Sequence, residues 1–326
     1  MSRETMRDSL IQTSTRLILQ LILVVALAWG LLALSPLDPI TAYLNGNLFG
    51  IAAGQKAEMA AKLGLDTPLW QQFSQWLVSL AHGDMGFSNL YRQPVTEVIR
   101  ERVGMSLLLI GLVWLFSLAV GFTLGLIAGV YRNRLPDLLI RSVAWLLTSI
   151  PSFWLGMILI SLFSVTLKWM PVCCAAPFGS TFTGQGFGSL ISHLVLPVST
   201  LTLVYMAPIV LHTREKVADV LDGEPLLYSR LHGQSPLALT RFHIIKNSLV
   251  PAVILQFASF AELFSGSILA ETVFNFPGLG QTLVKAGMAD DTALLLGGTL
   301  ITAVMVFIGN LAASAIALRL TPGENP

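Results

Sequence analysis

Six long apolar segments constrain the fold of this chain more than any other feature. A helix that spans a bilayer needs about 20 mostly apolar residues, and six stretches approach or exceed that length. They cover residues 17–34, 105–130, 138–167, 190–211, 249–269 and 293–318. Only 11% of the residues are charged, against about a quarter in an ordinary soluble domain. The sequence therefore predicts an all-α integral membrane protein with six transmembrane helices.

Two of these segments carry further signals. The first is long for a signal peptide and no small-residue cleavage site follows it, so we interpret it as an uncleaved span. The third contains Pro151 near its middle. Proline removes a backbone donor and clashes with the preceding turn. A kink, or a helix broken into two pieces, is therefore expected at this position.

The distribution of lysine and arginine predicts the orientation. If the amino terminus is cytoplasmic, 12 of the 19 basic residues lie on the cytoplasmic side, and the short outer loops hold only Lys168 and Lys285. The other five lie in the long segment after the first span, which counts little in the positive-inside rule. We therefore expect a multi-pass membrane protein with both termini in the cytoplasm.

The segment between the first two spans, residues 37–103, has the composition of short amphipathic helices. Two candidates are residues 55–62 and 68–80. In the stretch 95–103, three apolar side chains fall on one side of a helix, namely Val95, Val98 and Ile99. We interpret this stretch either as a helix along the outer membrane surface or as a structural loop.

The loop between the fourth and fifth spans, residues 213–247, is rich in both charged and apolar side chains. Its periodicity predicts a helix over 225–231, and the run from Gly233 to Pro236 ends that helix. A second helical stretch over 237–245 leads back into the membrane. Such a helix–turn–helix exposes an apolar patch, which is typical of a surface that a partner protein covers.

Several chemistries have no support in the sequence. No G-x-x-x-x-G-K-[S/T] loop is present, so the chain is not expected to hydrolyse ATP by itself. The sequence contains no H-E-x-x-H motif and no closely spaced histidines, so it predicts no metal site. The net charge of +1 gives no reason to expect a nucleic-acid partner. Cys173 and Cys174 are adjacent, which favours a packing or loop role over a redox pair.

Glu262 is the main exception to the apolar character of the predicted spans. A carboxylate inside a membrane helix is costly, so it should face the bundle interior or a water-filled path. We interpret Glu262 either as a residue that lines a solute path or as a neutral or paired structural carboxylate between helices.

Six motifs together resemble the permease subunits of the dipeptide/oligopeptide/nickel class of bacterial ABC importers, over nearly the whole chain. They are LGLDTPL at 63–69, GDMGFS at 83–88, RQPV at 92–95, IPSFWL at 150–155, WMP at 169–171 and ETVFNFPGLG at 271–280. The last motif is the strongest match. The resemblance implies a type I importer permease fold, with an outer amphipathic segment after helix 1 and a cytoplasmic coupling helix between helices 4 and 5.

The resemblance also implies the partners. Residues 224–233 match the coupling helix, which would dock into a groove on an ATPase subunit. The implied coupling residues are Glu224, Leu226, Leu227, Arg230, Gly233 and His243. The implied assembly contains a second homologous permease subunit, two ATPase subunits that carry ATP and Mg²⁺, and a periplasmic solute-binding protein. No cofactor is expected in this chain itself.

The motif at 271–280 lies at the outer end of the fifth span. Pro277, Gly278 and Gly280 suggest a sharp re-entrant turn. Together with Glu271, this turn is interpreted either as an outer gate or docking element for the binding protein, or as a structural connector.

The resemblance implies the following organisation in a bacterial inner membrane. Residues 1–36 form the amino terminus and first helix, 37–103 the periplasmic segment, 104–320 the permease core and 321–326 a cytoplasmic tail.

The implied function is ATP-driven import of a peptide, nickel or an opine-type metal chelate. The pair Glu262-Leu263 and the stretch 230–233 favour the nickel and metallophore branch. The alternative is a secondary transporter that works without an ATPase, a class that often shows internal repeats and several intramembrane charges. A membrane-embedded enzyme is the least favoured class, because Glu262 has no evident catalytic partner in the sequence.

Overall fold

The computed structural model describes residues 15, 19–31, 67–171, 187–235, 238–289 and 291–320. The helices are α1 (Leu19–Leu31), α2 (Leu69–Ala81), α3 (Val95–Val130), α4 (Leu135–Ser149), α5 (Ser152–Leu159), α6 (Phe187–Asp222), α7 (Glu224–Leu231), α8 (Lys246–Ala258), α9 (Phe260–Val273), α10 (Leu279–Met288) and α11 (Thr292–Leu320). Two π-helical stretches, Ile160–Thr166 and Leu239–Ile245, continue α5 and lead into α8. The predicted helix at 55–62 and the two cysteines lie outside the described residues.

The described helices account for the apolar segments of the sequence. Three of them, α3, α6 and α11, are long and apolar enough to cross a membrane. Two further candidates are helix pairs joined at a short break, and α1 is a shorter apolar helix. Each of the six predicted segments therefore contains at least one described helix, and the fold is mostly helical.

Both helix pairs are strongly bent. The predicted break at Pro151 is confirmed, because α4 ends at Ser149, α5 begins at Ser152, and the two directions differ by 107°. Ile150 and Pro151 between them are extended. The fifth segment bends by 55° at Ser259, between α8 and α9. No proline or glycine lies at this second bend, so the sequence predicts a single helix over this segment.

The chain forms two compact units, the first comprising residues up to Gly104 together with Gln281–Phe307. It contains a short antiparallel hairpin of β1 (Phe87–Ser88) and β2 (Gln93–Pro94). The buried carboxylate of Asp291 ties this hairpin to the start of α11. It accepts hydrogen bonds from the Ser88 hydroxyl at 2.6 Å and from the Leu90 backbone N–H at 3.0 Å.

The stretch 95–103 is not a separate surface helix or a loop, because it forms the first turns of the continuous helix α3. Val95, Val98 and Ile99 are buried, as the helical pattern requires. Val95 packs within the first unit, where its Cγ1 lies 2.8 Å from the position that a Cβ on Gly297 would occupy. Burial of this face in the protein replaces the predicted contact with the membrane surface. The predicted helix at 68–80 is confirmed as α2.

The second unit comprises Met105–Gly280 and the residues from Ile308 onward. Within it, three glycines at four-residue spacing on α3 pack directly against α6. A Cβ on Gly125 would lie 2.7 Å from the Val210 carbonyl oxygen, and Gly121 and Gly129 make similarly close approaches. Small residues at this spacing let two membrane helices approach closely. A buried apolar cluster continues the core between α4 and α6, formed by Ala144, Leu147, Met206, Ala207 and Val210.

Candidate functional site

The helix–turn–helix of residues 224–245 is built on one apolar anchor. Leu226 on α7 is buried against Val217 of α6 and against Leu239 and Ile244 of the following π-helical stretch. The predicted helix over 225–231 is confirmed as α7. Gly233 ends it with a φ of +74°, a left-handed conformation that costs any residue with a Cβ about 1–2 kcal/mol.

The outer face of this segment is apolar and exposed. Leu227 is 59% exposed, Leu231 77%, Tyr228 65% and Phe242 61%. Two adjoining helical stretches therefore present four large apolar side chains on a segment that also carries charges. Of the predicted coupling residues, Leu226 is buried and packs the segment against α6, whereas Leu227 is exposed and can contact a partner.

A polar contact fixes the two halves of the segment to each other. The Ser229 hydroxyl on α7 lies 3.2 Å from His243 Nε2 on the π-helical stretch, and it donates to the Pro225 carbonyl at 2.9 Å. The structure thus assigns His243 an internal position between the helices. Glu224 is exposed in the first turn of α7, and the Arg230 side chain lies outside the described part of the chain.

A buried ion pair joins α6, the helix that leads into this segment, to α4. Arg214 on α6 donates two hydrogen bonds to Asp137 on α4, at 3.1 Å from Nε and 2.9 Å from Nη2. Asp137 also accepts from the Asn133 backbone N–H at 2.8 Å. An exposed ion pair lies nearby in sequence, because Arg132 contacts Asp222 at the end of α6. Both pairs connect the turn between α3 and α4 to the helix that continues into α7.

Glu262 lines a cavity of about 190 Å³ in the second unit. The polar residues at its wall are Thr148, Tyr205, Gln256, Ser259 and Glu262. Ser259, at the bend between α8 and α9, lies in the lining, and the Tyr205 hydroxyl donates to the Glu262 backbone carbonyl at 2.8 Å. Of the two interpretations of Glu262, this position agrees with a residue that faces a polar opening.

The turn at 271–280 wraps around a buried carboxylate. Glu271 is fully buried and accepts a hydrogen bond from the Ser106 hydroxyl at 2.6 Å. Ser106 in turn accepts from the Leu279 backbone N–H at 2.8 Å. A Cβ on Gly278 would collide with the Glu271 carboxylate, and one on Gly280 would lie 2.8 Å from the Ile268 Cα. The two glycines are therefore required by the close approach of the loop, which favours a structural connector.

Four residues of these sites carry no signal in the sequence. Asp137 and Arg214 are 77 positions apart, so only the packing of α4 on α6 reveals their pairing. Tyr205 has no feature that distinguishes it from other residues of its apolar segment. Ser106 carried no signal beside Glu271, 165 positions away.

The length and composition of the described helices are those of a multi-pass α-helical membrane protein. A family model described as "Binding-protein-dependent transport system inner membrane component" matches residues 121–324. A putative peptide transport system permease protein of Brucella suis biovar 1 is 32% identical over 289 residues, covering 89% of this chain and 88% of the relative. The dipeptide transport system permease protein DppB of Escherichia coli K12 is 30% identical over 303 residues, with 87% and 89% covered.

The chain therefore belongs to the family of binding-protein-dependent transport system inner membrane components. It is a transport component of an inner membrane and not an enzyme, and the family resemblance of its motifs is confirmed. A chain of the MetNI methionine ABC transporter, solved in inward-facing conformations, matches with a TM-score of 0.54 at 17% identity, covering 69% of this chain and 97% of that one. That likeness shows a shared fold.

Proposed function

We propose that this chain is the membrane-spanning permease subunit of an ATP-driven importer that takes up short peptides. The observation that carries the proposal is the exposed apolar face of the 224–245 segment on a chain of this family. The chain holds no phosphate-binding loop of the G-x-x-x-x-G-K-[S/T] type, so the energy source is a separate protein. The names of the relatives, which are peptide and dipeptide transport permeases, support the choice of solute.

In this proposal the 224–245 segment docks on an ATPase subunit that binds ATP and Mg²⁺. Leu227, Tyr228, Leu231 and Phe242 supply the apolar contact, and Leu226 holds α7 to α6. Movement of the ATPase then reaches α6 through the rigid anchor, and α4 through the ion pair of Asp137 with Arg214. A few residues near the centre of an interface usually contribute most of its affinity.

The remaining topology follows from the same proposal. The chain crosses the membrane six times, both termini are cytoplasmic, and residues 37–103 are periplasmic. A homologous second permease completes the path, and a periplasmic binding protein delivers the solute. Glu262 lines the path, whereas the turn of Glu271, Pro277, Gly278 and Gly280 serves as a rigid connector at the outer end.

The docking surface is tested by replacing one exposed side chain. Leu231→Glu should weaken co-purification of the ATPase subunits by roughly 30-fold, the equivalent of about 2 kcal/mol at an interface anchor. The matched control is Leu231→Met, which keeps an apolar side chain and should leave both co-purification and uptake near the wild-type level. Since Leu231 is 77% exposed, neither change should affect folding. Full co-purification with active uptake in Leu231→Glu would refute the assigned surface.

The solute is tested by competition in vesicles that contain the whole complex. Unlabelled dipeptides should suppress uptake of a labelled dipeptide, whereas nickel salts and nickel chelates should not. Nickel-dependent uptake that dipeptides fail to suppress would instead assign the chain to the nickel and metallophore branch.

A further inference from the structure

The cavity at the bend between α8 and α9 has an unusual chemical lining. Its polar wall consists of one carboxylate, from Glu262, one amide, from Gln256, and three hydroxyls, from Thr148, Tyr205 and Ser259. Among the described residues that line it, none is lysine, arginine or histidine. A volume of about 190 Å³ holds on the order of ten water molecules, since one needs roughly 10–15 Å³. Apolar side chains complete the lining, namely Val204, Pro208, Ile209 and Leu263. The cavity is therefore roomy, of mixed lining and of negative character.

The hydrogen atoms of three of these groups, Thr148, Tyr205 and Gln256, are already committed elsewhere. The Thr148 hydroxyl donates to the Trp145 carbonyl at 2.8 Å. The Tyr205 hydroxyl donates to the Glu262 backbone carbonyl at 2.8 Å. Gln256 Nε2 donates to the Trp114 carbonyl at 2.9 Å and to the Ser117 hydroxyl at 3.0 Å.

Oxygen lone pairs are what remains for a ligand. An ionised carboxylate only accepts hydrogen bonds, and a hydroxyl or amide whose hydrogens are engaged can still accept through oxygen. Within the described part of the chain, the Glu262 carboxylate makes no hydrogen bond or ion pair. Three groups that offer acceptor oxygens, Thr148, Tyr205 and Gln256, beside one negative charge match a ligand that carries several donors and a positive charge.

We propose that this cavity binds the ammonium group of the transported solute, with the Glu262 carboxylate as its counter-ion. The inference rests on the proposed function, because it states which group of the transported peptide Glu262 binds. An ammonium group presents three donors and no acceptor, which fits Glu262, the Gln256 carbonyl and the hydroxyl oxygens. A free carboxylate of the solute is repelled by the same wall, so a peptide enters this site by its amino end.

The position of Glu262 supports this assignment. The carboxylate lies in the first turn of α9, just after the bend at Ser259. Tyr205 of α6 holds the backbone of that turn through its hydrogen bond. The backbone that carries the counter-ion is thus held at the junction of α6, α8 and α9, where a relative movement of these helices would change the shape of the site.

The test measures the charge preference of the cavity directly. In the complete importer, with Cys173→Ser and Cys174→Ser as background, Thr148→Cys places one thiol on the cavity wall. It is labelled with a cationic and an anionic methanethiosulfonate, each of which forms a mixed disulfide and releases methanesulfinate. The cation-to-anion rate ratio, relative to a free thiol in solution, should be at least about tenfold because of the nearby carboxylate.

Adding Glu262→Gln should bring that ratio close to one, whereas the control Glu101→Gln, an exposed carboxylate outside the cavity lining, should leave it unchanged. Alanylalanine should slow labelling when Glu262 is present, and N-acetyl-alanylalanine should not. The proposal is overturned if Glu262→Gln leaves the ratio unchanged, if both peptides protect equally, or if neither reagent reaches the thiol. Labelling does not require transport, so a complex that moves no peptide would refute the proposed function alone.

Discussion

The buried ion pair between Asp137 and Arg214 predicts a strong and asymmetric response to mutation. Asp137→Asn removes the negative charge but keeps an acceptor oxygen for the Asn133 backbone N–H. It removes the buried counter-ion of the Arg214 guanidinium, at a site where the Asp137 and Arg214 side chains are 1% and 10% exposed. The only other carboxylate that pairs with Arg214 among the described residues is that of Glu215, which is 74% exposed and 3.3 Å away. Removing one partner of a buried pair typically costs about 3–5 kcal/mol, because the remaining charge stays buried and uncompensated.

A surface pair in the same unit provides the matched comparison. Lys216 and Asp219 are 3.9 Å apart, with side chains 45% and 69% exposed. Exposed pairs contribute about 0–1 kcal/mol, so Asp219→Asn should change stability by less than about 1 kcal/mol. The double variant Asp137→Asn with Arg214→Met removes both buried charges, and most of the lost stability should return.

The assay is equilibrium unfolding in mixed detergent micelles, followed by tryptophan fluorescence, for the wild type and the three variants. The expected order of stability is wild type and Asp219→Asn, then the double variant, then Asp137→Asn. Equal stabilities of Asp137→Asn and Asp219→Asn would refute the assignment of this pair as buried. A double variant as unstable as Asp137→Asn would show that the charge of Arg214 is not the source of the cost.

Two further predictions concern close packing. Gly125→Ala should destabilise the chain and reduce uptake, because the new Cβ would lie 2.7 Å from the Val210 carbonyl oxygen. Gly111→Ala on the same helix has open space around the new Cβ and should be neutral or slightly stabilising. The same unfolding assay compares the two variants, and equal effects would contradict the α3–α6 contact. Ser106→Ala should lower the free energy of unfolding by about 1–3 kcal/mol, because the Leu279 N–H loses its acceptor. An unchanged free energy of unfolding in the same assay would contradict the described turn.

Much of the helical architecture was predictable because composition and local sequence dictate it. The apolar segments require helices in a bilayer, Pro151 requires a break, and Gly233 marks the turn of the 224–245 segment. Each of these signals acts over a few neighbouring residues. The glycines at 121, 125 and 129 also carry a readable pattern, although their partner helix is visible only in the structure.

The sites were less predictable because their chemistry depends on residues distant in sequence. Glu262 was recognisable as a carboxylate in an apolar segment, but the acceptor groups beside it come from three different helices. The pairing of Asp137 with Arg214 and of Ser106 with Glu271 arises only when helices pack. The bend at Ser259, which shapes the cavity, occurs without proline or glycine.

The most direct test of the central claim is uptake of a labelled dipeptide into proteoliposomes that contain the complete importer and its loaded binding protein. Uptake should require ATP on the ATPase side. It should disappear when the ATPase subunits are omitted, even if an ion gradient is imposed across the membrane. Gradient-driven uptake that persists without ATP or the ATPase subunits would contradict the account and identify a secondary transporter.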